Sequence, residues 1–179
     1  MKWLLAIARA IDRMNMTFGA VAAAAVFAAC MVSAGNATVR YLANSSSNAW
    51  LEIQWYLFGA CVMLGASDVL RLNEHVRVDV LYGRLSGRAK AWVDLLGMFV
   101  FLLPMTIVIG VMAWPWFLDA YRTHEMSGNA GGLVRWPVKL LLPLGFGLLA
   151  LQGLSEIVKR VGFLAGVHRM DTQYERPLQ

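Results

Sequence analysis

Histidine and cysteine are the residue types in this chain best suited to hold a metal or a haem, and the sequence contains three histidines and two cysteines. Catalysis would need a nucleophile with a base, paired carboxylates in a pocket, or a cluster of metal ligands. We expect His75, His124 and His168 to lie in loops or in the tail. Cys30 and Cys61 lie inside apolar runs, where a thiol packs as a small apolar group. The pattern predicts a protein that is not an enzyme and that binds no cofactor or metal.

The composition is that of a membrane protein. Of the 179 residues, 59% are apolar and 15% are charged, whereas soluble domains have about 45–50% apolar and about 25% charged residues. A formal charge of +5 is compatible with nucleic acid or with an anionic membrane surface. In so apolar a chain the membrane is the better interpretation, and we expect no nucleic-acid partner. The sequence has no Walker-type phosphate loop, so we expect no ATP hydrolysis by this chain.

The apolar runs predict an all-α integral membrane protein with four transmembrane helices. A helix needs roughly 20 residues to cross the hydrocarbon core. Four runs meet this length, at 17–39, 50–70, 92–117 and 136–158. Polar residues in these runs lie near their ends, and the span centres carry no ionisable side chain. We therefore predict a single membrane domain with loops at 71–91 and 118–135 and a tail at 159–179.

The segment 2–16 predicts a short amphipathic helix that lies in the membrane interface before the first span. Its apolar residues follow helical spacing on one side, while Lys2, Arg9, Asp12 and Arg13 occupy the other. The alternative is that this segment is an extension of the first span.

The basic residues predict how the chain is oriented. Most of the 16 Lys and Arg residues fall in the N-terminal segment, the 71–91 loop and the tail. Short loops rich in Lys and Arg stay in the cytoplasm. We therefore predict that both termini and the 71–91 loop are cytoplasmic and that the 118–135 loop faces outward.

The loop after the second span is the most informative stretch, because it is dense in both charge signs with valines interleaved. One interpretation is a solvated loop whose arginines only fix the topology. The alternation over 75–80 suggests instead a segment at the interface with one side buried. We predict that four residues set this turn and contact phospholipid head groups or a partner subunit: Arg71, His75, Arg77 and Asp79.

The same stretch resembles the signature of the small membrane subunit, of the DctQ type, of tripartite ATP-independent periplasmic (TRAP) transporters. The resemblance covers roughly 50 to 160 in separated blocks. These are NEHVRVDVLY at 73–82, EIQWYLF at 52–58, WVDLLG at 92–97, Glu125, GGLVRWPVK at 131–139 and PLGF at 143–146. The four-span layout is also the one that the family has.

The resemblance implies a role in solute uptake across the bacterial inner membrane. In such systems a periplasmic binding protein captures a solute, often a carboxylate, and delivers it to a pair of membrane subunits. The large subunit carries the substrate and sodium sites and moves, whereas the small subunit resembles a fixed scaffold. The resemblance thus implies a heterodimer with the large subunit and contact with the periplasmic binding protein.

The outward-facing charges are candidates for docking the binding protein, because they lie on its side of the predicted membrane: Glu52, Arg122, Glu125 and Arg135. The alternative for each is a role in topology and interfacial hydrogen bonding. A second group is predicted to anchor and pack the helices: Trp55, Asp94, Trp136, Pro137 and Lys139.

Two other functions stay open at this stage. The first is a membrane anchor subunit of a respiratory complex that binds haem or quinone. The second is a four-helix exporter that works without a partner. The first is disfavoured because no His lies in a predicted span, and a haem inside a helix bundle needs axial ligands such as His. The second is disfavoured because the span centres lack the charged groups of a transport site.

Overall fold

The computed structural model describes residues 1–45, 47–73 and 85–168. Its architecture consists of four long helices, named α1 (Lys2–Ala43), α2 (Asn48–Leu72), α3 (Gly87–Arg122) and α4 (Trp136–Leu164). All four are long and apolar enough to cross a membrane. Within the described ranges, β-type pairing is limited to one isolated bridge between Met126 and Val134. The prediction of an all-helical chain with four long apolar helices is confirmed.

The fourth helix is the centre of the bundle. α1 and α2 pack against each other, α4 packs against both, and α3 packs mainly on α4. Contacts between Asp12 and Lys159, and between Asp94 and Arg160, show that α4 runs antiparallel to α1 and α3. The starts of α1 and α3 therefore lie beside the end of α4. We refer to this side of the bundle as the termini end and to the opposite side as the loop end.

The first helix is continuous from Lys2 to Ala43. It joins the segments 2–16 and 17–39, which were predicted as an interfacial helix and a separate span. Its 42 residues correspond to about 63 Å, twice the roughly 30 Å of a hydrocarbon core. The first turns pack on α4, where Asn15 is fully buried. The position of residues 2–16 at the membrane interface stays a prediction.

The third helix contains a π-helical turn at Met98–Leu102, and Pro104 explains it. A proline has no N–H, and its ring collides with the carbonyl four residues earlier. In the turn the N–H of Leu103 donates to the carbonyl of Met98, five residues back. The backbone hydrogen bonds of the helix thus shift by one residue just ahead of the proline. The helix then continues to Arg122.

Small residues bring the helices close together. Ala22 on α1 and Gly65 on α2 face each other, and a Cβ on Gly65 would lie 3.4 Å from the Ala22 Cβ. Gly145 on α4 lies against the backbone of α2, where an added Cβ would lie 2.7 Å from the Met63 carbonyl oxygen. Glycine is required at position 145, because a backbone atom cannot rotate away as a side chain can.

Candidate functional site

The segment between α3 and α4 folds back on itself as a hairpin at the loop end, over residues 123–135. The Ser127 N–H donates to the Leu133 carbonyl at 2.9 Å, and the Arg135 N–H donates to the Glu125 carbonyl at 2.9 Å. The turn is completed by Gly131, whose φ of 70° suits glycine. This hairpin lies in the loop that was predicted to face outward.

Glu52, in the second turn of α2, binds the hairpin through both carboxylate oxygens. One oxygen accepts a hydrogen bond from the Asn129 amide at 2.8 Å and another from the Ser127 hydroxyl. The other oxygen accepts from the backbone N–H of Leu133 at 2.7 Å. Hydrogen bonds to an ionised carboxylate are among the stronger ones in proteins. Glu52 is therefore the main link between α2 and the tip of the hairpin.

Two further residues of α2 support this contact. Asn48, in the first turn, donates its side-chain N–H to the Ala130 carbonyl at 3.0 Å. Tyr56, one turn after Glu52, donates its hydroxyl to the Val134 carbonyl at 3.2 Å. Residues 48, 52 and 56 are four apart and share one helix face. A stripe on α2 thus fixes the full length of the hairpin.

Glu125 holds the other side of the hairpin to the start of α4. Its carboxylate accepts hydrogen bonds from Lys139 and, at 3.2 Å, from the Arg135 guanidinium. Lys139 is buried, and its ammonium also lies 4.4 Å from the centre of the Trp116 ring on α3. An ammonium over an indole face is attracted by the ring. Glu125 and Lys139 therefore connect the hairpin, α3 and α4.

Three of the four residues predicted to dock a binding protein thus come together around the hairpin: Glu52, Glu125 and Arg135. The carboxylates of Glu52 and Glu125 are hydrogen-bonded within the chain, whereas the Arg135 side chain is half exposed. Arg122 lies apart at the last turn of α3, exposed and without an ion pair to the described residues. The sequence places these charges on one side of the membrane, but it does not show that two of them shape the loop.

We expect Glu52→Gln to loosen the hairpin, because the neutral amide loses acceptor strength and turns a donor toward the Leu133 N–H. Tryptic cleavage after Arg122 and Arg135 should become several-fold faster than in the unmodified chain. Asp119→Asn removes an exposed carboxylate at the same end of the bundle and is the matched control. Equal cleavage rates in the two variants would contradict the role given to Glu52.

The Glu125 contacts predict a pH dependence. The hydrogen bond from Lys139 lowers the pKa of Glu125 below its usual 4.5, Arg135 lowers it further, and desolvation opposes both. A carboxyl whose pKa is lower in the folded state stabilises the fold above 4.5 and loses that contribution as the pH falls through the lowered value. Protection of the hairpin amides, measured as the exchange rate relative to the intrinsic rate at the same pH, should therefore stay high down to pH 4.5 and fall only below it. Glu125→Gln should show low protection already at neutral pH, and equal protection in that variant would refute this assignment.

The residues predicted to anchor helix ends occupy different surroundings. Trp55 is 71% exposed, with its ring edge-on to Phe58 at 6.5 Å between centroids. Trp136 is the first residue of α4, and its ring contacts Tyr121 edge-on at 5.5 Å. Pro137 follows as the second residue, where a missing N–H costs no helical hydrogen bond.

The predicted cytoplasmic contact group lies mostly outside the described residues. His75, Arg77 and Asp79 fall in 74–84, outside the residues that the structure describes. Arg71 is described, and its Nε lies 2.6 Å from the Asp68 carboxylate one turn earlier on α2. Asp68 in turn packs so closely against Gly19 of α1 that a Cβ on the glycine would overlap its carboxyl group.

A second polar cluster lies at the termini end, with Arg160 of α4 at its centre. The guanidinium is 2% exposed, and two of its nitrogens lie 3.1 Å and 3.0 Å from one oxygen of Asp94 on α3. It also donates to the Glu156 carboxylate one turn earlier on α4. Burying an arginine is tolerated only when its charge is paired and hydrogen-bonded. Arg160 therefore ties α3 to α4.

The same cluster continues toward α1. Gln152 is fully buried, accepting from Asn15 at 2.7 Å and donating to Asp12 at 2.9 Å. Lys159 lies 3.1 Å from Asp12 and also pairs with Glu156. We call the whole set the termini-end network, and it consists of Asp12, Asn15, Asp94, Gln152, Ser155, Glu156, Lys159 and Arg160. Through it, α4 is joined by polar contacts to both α1 and α3.

This network was not predicted from the sequence, although the sequence carries a signal for it. Gln152, Glu156 and Lys159 recur at helical spacing and place a polar stripe on one face of α4. The predicted end of the fourth span at 158 assigned Lys159 and Arg160 to the tail, but α4 continues to Leu164. Among the described residues, no group of three or more His, Cys, Asp or Glu side chains could hold a metal ion.

Comparison with known proteins gives one match. A family model described as the DctQ component of tripartite ATP-independent periplasmic transporters matches residues 29–162. This range is more than half of the chain and runs from the middle of α1 to the last turn of α4. It contains the hairpin, and it begins earlier than the blocks that carry the resemblance in the sequence. No curated protein and no solved structure matches the chain.

Proposed function

The chain belongs to the DctQ family of TRAP transporter components, and from this premise we propose that it is the non-catalytic scaffold subunit of a sodium-coupled importer. The multi-pass protein would lie in the bacterial inner membrane with both termini in the cytoplasm. It would form a heterodimer with the large subunit, which would carry the solute and sodium sites. The solute, which we propose is an organic acid, would arrive on a periplasmic binding protein.

The distribution of polar contacts is the observation that carries the scaffold role. The termini-end network lies at one end of the bundle, and the Glu52 and Glu125 contacts with the hairpin lie at the other. Between them, the packed residues at the meeting point of α1, α2 and α4 are Ala22, Leu64 and Leu148. A transport site near mid-membrane needs polar or unwound segments. A bundle whose two ends are held by polar contacts, with an apolar middle, is suited to a subunit that stays fixed while its partner moves.

The outer helix faces offer the area that a scaffold needs. On α3, large apolar side chains such as Phe101, Val111 and Met112 are 66–73% exposed. Phe27 of α1 is 69% exposed. In a membrane protein such faces contact either lipid or another helix. Apolar surface of this kind supports association with a second membrane subunit without any charged group.

We propose that the hairpin at the loop end is the docking surface for the binding protein. Its backbone is held by Glu52 and Glu125, so the exposed groups at its base are presented in fixed positions. Arg122 and Arg135 are exposed and positively charged there, which suits an acidic patch on the partner. Charges at the rim of an interface chiefly raise the rate of association.

Arg122→Glu should slow the association of the binding protein with the membrane complex by roughly three- to ten-fold, because rim charges steer diffusional encounter. Surface plasmon resonance on the complex in nanodiscs measures the rate. Arg9→Glu makes the same charge change in the first turns of α1, at the termini end, and serves as the control. If both variants bind at the unmodified rate, the hairpin base is not the docking surface.

Uptake into proteoliposomes tests the proposed function as a whole. Vesicles that contain the large subunit, this chain and the binding protein should accumulate solute when an inward sodium gradient is imposed. Vesicles without this chain should show little uptake. The scaffold role would be wrong if the large subunit transported at the full rate alone, or if this chain transported without it.

A further inference from the structure

An open groove lies at the loop end between the last turns of α1 and the first turns of α2. Its volume is about 590 Å³. The residues on the α1 side share one face of the helix, and α2 contributes two more residues. The lining residues are Ser33, Asn36, Ala37, Arg40, Tyr41, Asn44, Leu51 and Gln54. Most of these carry polar groups, unlike the grooves between α3 and α4, which are lined almost entirely by apolar residues.

Asn36 is the residue that marks this groove as a binding site. It is 8% exposed, and within the described part of the chain no hydrogen bond to its side chain is present. The amide faces a polar groove and not an apolar core, so a ligand that enters the groove can satisfy it.

Arg40 gives the groove a positive charge. It lies one turn beyond Asn36 on the same face of α1, is exposed, and forms no ion pair with the described residues. The end of α1 and the start of α2 are separated only by a short loop, so the opposite dipoles of the two helix termini largely cancel there. Glu52, the acidic residue beside Leu51 in sequence, is occupied by the hairpin. The groove therefore has one uncompensated positive charge.

We propose that this groove binds the phosphate group of a phospholipid head group, with Arg40 on the phosphate and the Asn36 amide on a head-group or ester oxygen. An arginine forms paired hydrogen bonds to phosphate oxygens. The groove lies at the end of the predicted span at 17–39, which is the depth of the head groups. Tyr41, 86% exposed, lines the groove beside Arg40 and offers surface for the glycerol part of the head group.

This site is separate from the predicted lipid contact of the 71–91 loop, whose described residues, 71–73 and 85–91, lie at the termini end. It is also independent of the transporter role, because it requires only this chain and a bilayer. Soluble phosphate esters share the same chemistry, so the test must distinguish a lipid from a free anion.

Native mass spectrometry of the full chain in detergent, titrated with phosphatidylglycerol, tests the proposal. The unmodified chain should retain one lipid, and Arg40→Gln should weaken its binding about ten-fold. That factor corresponds to the loss of one charge-assisted hydrogen bond. Asn36→Leu should weaken binding to a smaller extent. Arg122→Gln, which removes an exposed arginine at the same end of the bundle, should bind as the unmodified chain does.

Two further probes make the result decisive. Diacylglycerol, which has the same chains without phosphate, should not be retained. Soluble glycerol phosphate should not displace the lipid at matched concentration. Equal phosphatidylglycerol binding by Arg40→Gln and Arg122→Gln would overturn the site. Retention of diacylglycerol, or displacement by glycerol phosphate, would overturn the lipid-phosphate assignment. Circular dichroism on each variant ensures that a folded chain is compared.

Discussion

Arg160→Leu is expected to destabilise the bundle more than the loss of any exposed charge. The guanidinium is 2% exposed and joins Asp94 on α3 to Glu156 on α4. Removing it takes the guanidinium away from the buried Glu156 carboxylate and from the partly buried Asp94 carboxylate. Breaking a buried ion pair in this way costs about 3–5 kcal/mol. For a chain of this size that is a fall in melting temperature on the order of 10 °C.

Thermal unfolding in detergent, followed by tryptophan fluorescence, measures the effect. Arg122→Leu removes an exposed arginine and is the matched control. A variant that also carries Asp94→Leu and Glu156→Leu should recover part of the loss, because the two carboxylates that faced Arg160 are then replaced by apolar side chains. If Arg160→Leu and Arg122→Leu had the same melting temperature, the termini-end network would not hold α3 to α4.

Gly145→Ala is expected to have the second large effect, by forcing α2 and α4 apart. The new Cβ would lie 2.7 Å from the Met63 carbonyl oxygen and 3.1 Å from its carbonyl carbon. Both are backbone atoms, so relief requires a shift of a whole helix. Overpacking of this kind costs about 1–3 kcal/mol, and Gly145→Val should cost more.

Gly147→Ala is an unusually close control, because it lies two residues away on the same helix and an added Cβ there would meet nothing within 4 Å. In a helix interior, alanine is favoured over glycine by roughly 0.5–1 kcal/mol. The control should therefore melt at or slightly above the temperature of the unmodified chain. Equal melting temperatures for the two alanine variants would contradict the close approach at Gly145.

The architecture was predictable because long apolar runs report directly on membrane-crossing helices. Each of the four long apolar helices contains one of the apolar runs at 17–39, 50–70, 92–117 and 136–158. The helix ends differ from the span ends because a helix can continue past the hydrocarbon core. α1 and α4 do so, and their extensions carry Asp12 and Arg160. Charges that looked like flanking residues are therefore packed against other helices.

The candidate site was predictable only in part. Glu52 and Glu125 were singled out by position and by the family resemblance, but the groups that they bind lie between 10 and 81 residues away along the chain. Spacing along one helix cannot reveal such pairs. Asn36 carried no signal at all, because a single amide within an apolar run looks like any other span-end polar group. Only the packing of α1 on α2 shows that it is buried and faces a groove.

The proposed scaffold role of this chain requires a stable partnership with a larger membrane subunit. Affinity purification of the full chain from its native membrane, with mass spectrometry of the proteins that accompany it, tests that claim directly. We predict a large multi-pass membrane protein of the same transporter system in equal amount, in a colourless preparation. A chain that purifies alone, or with haem-bearing redox subunits and a Soret absorption band, would contradict the account.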